Sequence, residues 1–234
     1  MIRNKSVDEF IKILKLSKNK FTEIDLEAII RDTFIFAEKI WSLGQKLDEF
    51  TDHGIKHSYR TLKKSLEIAD KILVNHPLSD LEKTILAVAC LIHDIGMQCQ
   101  KYSKWKNFDA KKVRLSHCEI GYEMFRKVLE GEREDLPELK YEEQEKPLIF
   151  EKAMYVAFSH CSKDKKAQKL WKNLKNDEVI GEKRRLKLLA ALLRLGDELD
   201  MCFDRVPEIN KLASSTLSAE SKACLLYTSP SPRD

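Results

Sequence analysis

The sequence predicts an all-α protein, folded as a helical bundle around one large core. Apolar residues recur at three- and four-residue spacing along most of the chain, and no stretch alternates like a β-strand for more than a few residues. The 234 residues include only 7 Gly and 6 Pro, with 43% hydrophobic and 34% charged residues. This balance is typical of a soluble globular helical protein that needs no disulfide or metal to complete its core.

The helical spacing is clearest in three segments near the N-terminus. Their apolar residues are Phe10, Ile11, Ile13 and Leu14, then Leu26, Ile29, Ile30, Phe34 and Ala37, then Leu62, Leu66, Ile68, Ala69, Ile72 and Leu73. Residues three and four apart share a helix face, so each segment predicts an amphipathic helix. Residues 84–95 and 186–195 are apolar nearly all round, which predicts helices in the middle of the bundle. Residues 131–146 (GEREDLPELKYEEQEK) predict an acidic, exposed connection.

Charge and cysteine usage indicate the cell compartment and exclude some partners. No apolar run is long enough to cross a bilayer, and the N-terminal residues are charged where a secretory signal is apolar, so we expect a cytoplasmic protein without a membrane partner. Scattered cysteines without a C-x-x-C pair (Cys90, Cys99, Cys118, Cys161 and Cys202) predict free thiols. The net charge of +4 does not indicate nucleic-acid binding.

The last eleven residues, 224–234 (CLLYTSPSPRD), differ in composition from the rest of the chain. They resemble the translation of a transposase-type sequencing adaptor, so we expect them to be an artefact and exclude them from fold reasoning. We therefore expect the natural protein to continue beyond residue 223.

The strongest local signal for chemistry is LAVACLIHDIG, in which His93 and Asp94 close an apolar helix just before Gly96. A buried carboxylate without a counter-charge costs several kcal/mol, and the preceding run offers no Lys or Arg, so a cation is the natural partner of Asp94. The same reasoning applies to Asp197, which follows LKLLAALLRLG.

Further histidines offer ligands from other parts of the chain. His53 and His57 have the i,i+4 spacing of zinc-protease helices, but the residues between them include no Glu for the general base, which excludes that class. We expect a helix to begin near Ile55, with His57 in its first turns. His117 and His160 lie in helical segments and are candidates for additional ligands.

The order His57, His93-Asp94 and Asp197 resembles the HD superfamily of metal-dependent phosphohydrolases, over roughly residues 51–207. The resemblance implies an HD-domain helical bundle in which these four residues bind one metal ion, with His93 and Asp94 at the catalytic centre. Members with two further histidines hold a second ion. His117 and His160 match those positions, with Asp94 as the bridge.

More narrowly, T-D-H-G-x-x-H-S together with LLRLGDELDMCFDRVP is similar to the HD-CE type of bacterial domain, which often occurs beside a heat-shock-type ATPase module. The HD-GYP type, which hydrolyses cyclic di-GMP, has Lys after H-D-I-G and a Gly-Tyr-Pro element after its later histidines. Here Met97 follows H-D-I-G and Cys-Ser-Lys-Asp follows His160, so that substrate is not expected.

The resemblance predicts hydrolysis of a nucleotide or other phosphoester with one or two divalent ions, and the nitrogen and oxygen ligands suit Mn, Fe, Zn, Ni or Mg. Two other functions keep the same ligand order: a di-iron oxygenase, and a metal-binding regulatory module of a larger, ATPase-linked protein. Candidate substrate contacts are Arg114, Arg194, Asp200, Arg205 and His53. The charged residues around Asp197 could instead pair with one another. The basic residues that follow the His93-Asp94 pair, Arg114 among them, could instead form a solvated face of the protein.

The predicted organisation has four parts. Residues 1–50 form a helical extension that packs on the HD domain, 51–207 form that domain, 208–223 begin a truncated C-terminal region, and 224–234 are the artefact. We expect the chain either to associate with copies of itself or to be fused to a C-terminal domain.

We expect Cys118 and Cys161, each next to a candidate histidine, to pack as small apolar residues rather than bind metal.

Overall fold

The computed structural model describes residues 6–17, 25–43, 54–101, 104–105, 107–132, 136–139, 146–161, 164–175, 177–179 and 182–200. His53, Cys202, Arg205 and the segment 224–234 lie outside these residues, so the predictions made for them stay predictions.

The described chain is all-α apart from one short hairpin, which confirms the predicted fold class. The helices are α1 (Val7–Leu14), α2 (Leu26–Leu43), α3 (Ile55–Ile72), α4 (Asp80–Ile92), a 3₁₀ helix (Ile95–Lys101), α5 (Ala110–Leu129), α6 (Lys146–Ala157), α7 (Lys165–Asn173) and α8 (Leu186–Glu198). Strands β1 (Asp177–Val179) and β2 (Glu182–Arg184) pair antiparallel, with Glu178 opposite Lys183. Three-residue strands are too short to leave a periodic signal in the sequence.

Helix α4 lies at the centre of the bundle, as its apolar sequence predicts. Apart from Lys83, every residue from Leu81 to Ile92 is buried. The helix packs against α2, α3, α6 and α8. Neighbours on several sides explain why α4 has no polar face.

Helix α8 is less enclosed than its sequence suggests. It packs against α3, α4 and α6 through residues such as Leu189 and Leu193, which are fully buried. Leu195, however, is 49% exposed. The predicted central position therefore holds for the side of α8 that packs on these helices, whereas Lys187, Leu195 and Glu198 lie on a side that faces out of the bundle.

The N-terminus of α4 is fixed by a capping box and an ion pair. Ser79 Oγ accepts a hydrogen bond from the backbone N–H of Glu82, and the Glu82 carboxylate accepts one from the backbone N–H of Ser79. The same carboxylate accepts hydrogen bonds from the backbone N–H, Nε and Nη2 of Arg185, which precedes α8. These contacts hold the beginnings of the two central helices together.

Helix α1 packs against α2, α3 and α4 through an aromatic cluster. The Phe10 ring meets Phe34 and Tyr59 edge-on, with centroid distances of 5.5 and 5.4 Å.

Leu139, in the connection predicted to be exposed, is buried in the core, so that prediction is wrong at this residue. Among the helices of the described residues, none has the length and apolarity needed to cross a membrane.

Candidate metal centre

Three parts of the chain bring two imidazoles and two carboxylates together. His57 lies in the first turn of α3, His93 and Asp94 follow the last residue of α4, and Asp197 lies near the end of α8. His57 Nε2 is 3.2 Å from His93 Nε2, 3.1 Å from Asp197 Oδ1 and 3.5 Å from Asp94 Oδ2. Ligands about 2.1 Å from one ion lie about 3–3.5 Å from each other, so the four residues fit a single cation.

A second pair of histidines lies on the other side of Asp94. His117 Nε2 and His160 Nε2 are 3.3 Å apart, and they lie 3.3 and 3.6 Å from Asp94 Oδ1. The other carboxylate oxygen, Asp94 Oδ2, lies 3.5 Å from His57 Nε2 and 3.3 Å from His93 Nε2. Each oxygen of Asp94 therefore faces a different histidine pair, the arrangement expected of a bridging ligand.

The hydrogen bonds of the four histidines direct the same ring nitrogen into the centre. Each Nδ1 has an acceptor on the far side of the ring: Asp200 Oδ2 at 2.7 Å for His57, Cys90 O at 2.8 Å for His93, Arg114 O at 2.8 Å for His117 and Ala157 O at 2.6 Å for His160. A ring that donates from Nδ1 has a free lone pair on Nε2, which is the form that binds metal. The donor set therefore fits a cation on chemical as well as geometric grounds.

Burial and charge give this centre strongly shifted pKa values. Burial tends to raise the pKa of Asp197, but hydrogen bonding and the charges of His57 and His93 hold it well below its usual range. Burial likewise tends to lower the pKa of His93, yet the carboxylates of Asp94 and Asp197 raise it to about 9. The buried carboxylate of Asp94 and the partly buried one of Asp197 thus favour positive charge nearby, which protons or metal ions can supply.

Two glycines allow the helices to approach closely enough to assemble the centre. A Cβ on Gly96 would lie 2.0 Å from the backbone oxygen of His117. A Cβ on Gly196 would lie 2.6 Å from Thr61 O and 2.3 Å from Ser65 Oγ. Because these glycines have no side chain, α5 packs closely on the 3₁₀ helix and α8 packs closely on α3, next to the candidate metal ligands.

The HD-CE family model matches residues 47–223, which is most of the chain and includes all six converging residues. The chain belongs to the HD-CE family. No curated protein and no solved structure gives a significant match. Family membership confirms the resemblance to the HD superfamily. Two clusters of side chains in this HD-CE domain could hold metal ions: His57, His93, Asp94 and Asp197 form one, and His117, Cys118, His160 and Cys161 form the other.

The cysteines of the HD-CE domain differ from the sequence-based expectation. Cys118, on α5, and Cys161, after α6, form a disulfide with a Cα–Cα distance of 6.4 Å, so the prediction of free, packed thiols is wrong for this pair. Cys90 and Cys99 are free, as predicted, and both are fully buried. Sequence spacing could not reveal the bond, because 43 residues separate the two cysteines.

The candidate substrate contacts of the HD-CE domain lie in different environments. Arg194 lies one turn before Asp197 on α8 and lines a cavity of about 240 Å³. The other lining residues are Ser159, Cys161, Gln168, Trp171 and Lys172. Arg114 is exposed on α5, and its backbone oxygen accepts the hydrogen bond from His117.

Asp200, one of the candidate substrate contacts, is fully buried. Its carboxylate accepts hydrogen bonds from His57 Nδ1 and from Arg60 Nε. Burial tends to raise the pKa of Asp200, but the contacts with His57 and Arg60 lower it overall. Asp197 and Asp200 are three residues apart, a spacing that places two side chains on the same helix face, so the sequence indicated that both could contact the same histidine.

Proposed function

We propose that this HD-CE domain hydrolyses a phosphoester bond in a nucleotide or another phosphorylated small molecule, with the help of one or two divalent ions. The observation that carries the proposal is the position of Asp94, whose two oxygens lie 3.3 to 3.6 Å from two separate histidine pairs. A carboxylate between two ligand pairs is typical of sites in which two ions act on one phosphoryl group.

The residues divide into two sets of ligands. His57, His93, Asp94 and Asp197 would hold the first ion. His117 and His160 would hold the second together with Asp94. Ions bound there would supply a water molecule of lowered pKa and positive charge for the phosphoryl oxygens. The nitrogen and oxygen donors suit Mn, Fe, Zn, Ni or Mg.

The exposure of the ligands suggests the direction from which a substrate enters. The side chains of His57 and His93 are 0% exposed and that of Asp94 is 4% exposed, whereas that of Asp197 is 22% exposed. Arg194, one helical turn away, lines a cavity that also contains Lys172. Arg194 and Lys172 would orient and neutralise a phosphate group bound in this cavity, while the burial of the histidines would keep bulk water from the metal ligands.

The test combines metal content with turnover. The full chain is purified with and without added Mn²⁺, Fe²⁺, Zn²⁺, Ni²⁺ and Mg²⁺, and phosphate release is measured on a panel of nucleotides and phosphoesters. We expect metal-dependent release that is lost in Asp94→Asn together with bound metal. Asp70→Asn, an exposed position on α3, is the matched control and should retain both.

Bound metal without release of phosphate from any substrate would contradict the hydrolase proposal. Oxygen uptake that requires reduced iron would then favour the oxygenase chemistry, and metal without any turnover would favour a regulatory module. A chain that binds no metal under aerobic and anaerobic preparation would overturn the site assignment as well.

A further inference from the structure

The disulfide of this HD-CE domain lies directly against the second histidine pair. Cys161 Sγ is 3.2 Å from His117 Nε2 and 3.6 Å from His160 Nε2. Cys118 Sγ is 3.9 Å from His117 Nε2 and 3.7 Å from His160 Nε2. One ligand atom from each of the four residues lies within 4.8 Å of all the others.

We propose that reduction of the Cys118–Cys161 bond converts this cluster into a zinc site with two thiolate and two imidazole ligands, and that oxidation closes it. The inference concerns metal binding alone and does not depend on the reaction that the domain catalyses.

The distances support a tetrahedral site. In a zinc site with Zn–N of about 2.1 Å and Zn–S of about 2.3 Å, nitrogen atoms lie about 3.4 Å apart and sulfur lies about 3.6 Å from nitrogen. The Nε2 atoms of His117 and His160 are 3.3 Å apart, and the four sulfur–nitrogen distances span 3.2 to 3.9 Å. Only the two sulfur atoms must separate, to about 3.8 Å, and this requires that their bond be broken.

Two His-Cys dipeptides supply the four ligands. His117 and Cys118 lie on α5, while His160 and Cys161 follow α6. A zinc ion would thus join two separate elements of the bundle. Two thiolates in a set of four are soft donors that strongly favour Zn²⁺ over Mn²⁺ or Mg²⁺, whereas a set of His117, His160 and the Asp94 carboxylate favours Zn²⁺ less. The redox state would therefore decide how tightly and how selectively the second histidine pair holds zinc.

A reductant can reach the bond from one side. Cys118 is fully buried, but Cys161 is partly exposed and lines the cavity that contains Lys172 and Arg194. Cys90, which is fully buried in α4, has no such access. A thiolate of a small dithiol approaching through the cavity would meet Cys161 first.

The redox step balances as a thiol–disulfide exchange. A dithiol reductant attacks the bond, forms a mixed disulfide and leaves as its own cyclic disulfide, so that two electrons and two protons pass to Cys118 and Cys161. Binding of Zn²⁺ then releases the two thiol protons and forms two Zn–S bonds. The reverse step requires a low-molecular-weight disulfide as the oxidant, which is reduced to two thiols as the protein bond re-forms.

The experiment compares zinc content in the two redox states of the full chain. One sample is reduced anaerobically with a dithiol, the other is oxidised with a low-molecular-weight disulfide, and both are loaded with Zn²⁺ and desalted. We expect the reduced chain to retain more zinc after desalting than the oxidised chain, because His117, His160 and Asp94 without the thiolates bind Zn²⁺ more weakly. The oxidised chain should also show two fewer reactive thiols after unfolding. With Co²⁺ in place of Zn²⁺, only the reduced chain should show a sulfur-to-cobalt charge-transfer band.

Variants identify the thiols responsible. Cys118→Ala/Cys161→Ala should lose the band and make metal content insensitive to the redox treatment. Cys99→Ala, which alters a free buried cysteine that contributes nothing to either ligand set, should behave like the wild-type chain. Equal zinc content in reduced and oxidised wild-type protein, with no sulfur-to-cobalt band, would overturn the proposal without any variant, and it would leave the phosphoesterase test unaffected.

Discussion

His57 Nδ1 donates a hydrogen bond to Asp200 Oδ2 across 2.7 Å, and both side chains are completely buried. The other ring nitrogen, Nε2, lies 3.1 Å from Asp197 Oδ1 in the first metal position. Asp200 therefore positions a ligand without contacting the ion itself, because it fixes the tautomer and the ring orientation of His57. Arg60 holds the same carboxylate through Nε at 2.9 Å.

Replacing Asp200 should weaken metal binding at the first position. We expect Asp200→Asn to lower affinity about 10- to 100-fold, the usual effect of losing an outer hydrogen-bond partner of a ligand. Calorimetric titration with Zn²⁺ or Mn²⁺ measures this, with Asp70→Asn as the control on the surface of α3. Unchanged affinity in Asp200→Asn would show that the packing of His57 suffices to orient its ring.

The bridging position of Asp94 predicts a difference in stoichiometry between ligand variants. Asp94→Asn should reduce occupancy at both metal positions, because each of its oxygens faces one histidine pair. His160→Gln removes only a ligand of the second position, so it should lower bound metal by at most one ion per chain. Elemental analysis of oxidised protein measures both, and equal losses in the two variants would contradict a bridging role.

The close approach at Gly96 predicts a large loss of stability. A methyl group there would lie 2.0 Å from the His117 backbone oxygen, so we expect Gly96→Ala to lower the free energy of unfolding by about 3 kcal/mol or more. Gly131 has a φ of +76° but no atom within 4 Å of an added Cβ, so Gly131→Ala should cost only about 1 kcal/mol. Urea unfolding of both variants tests the contrast. Similar losses would mean that α5 shifts at little cost.

The Glu82–Arg185 contact predicts a pH-dependent contribution to stability. Burial tends to raise the pKa of Glu82, but hydrogen bonds from Arg185 and Ser79 lower it below 4.5 overall. Because the folded pKa is the lower one, the stabilisation is present above pH 4.5 and is lost as the pH falls through the folded pKa.

We therefore expect Glu82→Gln to lower the free energy of unfolding by about 2–3 kcal/mol at neutral pH, since the partly exposed Arg185 loses its buried partner. The difference from wild type should shrink as the pH falls below 4.5. Chemical unfolding at several pH values measures it. A constant difference across that range would show that the charge of Glu82 contributes nothing. Lys63→Gln, at an exposed pair on α3, serves as the control with little effect.

Arg194 provides a test of substrate binding that leaves the metal ligands intact. If the cavity accepts the phosphate group, Arg194→Gln should lower kcat/KM by about tenfold or more, mainly through KM, because one charged hydrogen bond is lost. Metal content should stay the same, since Arg194 is not a ligand. Arg126→Gln, at a partly exposed position on α5, is the matched control. A normal KM in Arg194→Gln would remove the cavity from the substrate path.

Much of the fold could be predicted because it depends on local patterns. The all-round apolar sequence of α4 predicts a central helix, and α4 packs against five other helices of the described residues. The start of α3 at Ile55 follows from Gly54. Helix α4 ends at Ile92, one or two residues before the His93-Asp94 pair that the sequence predicts as its end. Helical periodicity and helix ends need only neighbouring residues, so they can be read without knowing the contacts between helices.

The ligand types could also be predicted from the sequence, because two buried carboxylates in apolar helices require compensating charge and the ordered histidines resemble one family. Which atoms meet was decided by the tertiary structure. The division of Asp94 between two histidine pairs, the burial of Asp200 against His57, and the Cys118–Cys161 bond all join residues far apart in the chain. Local sequence cannot specify such contacts, because they depend on how closely α3, α5, α6 and α8 pack, and Gly96 and Gly196 set that distance at two of the interfaces.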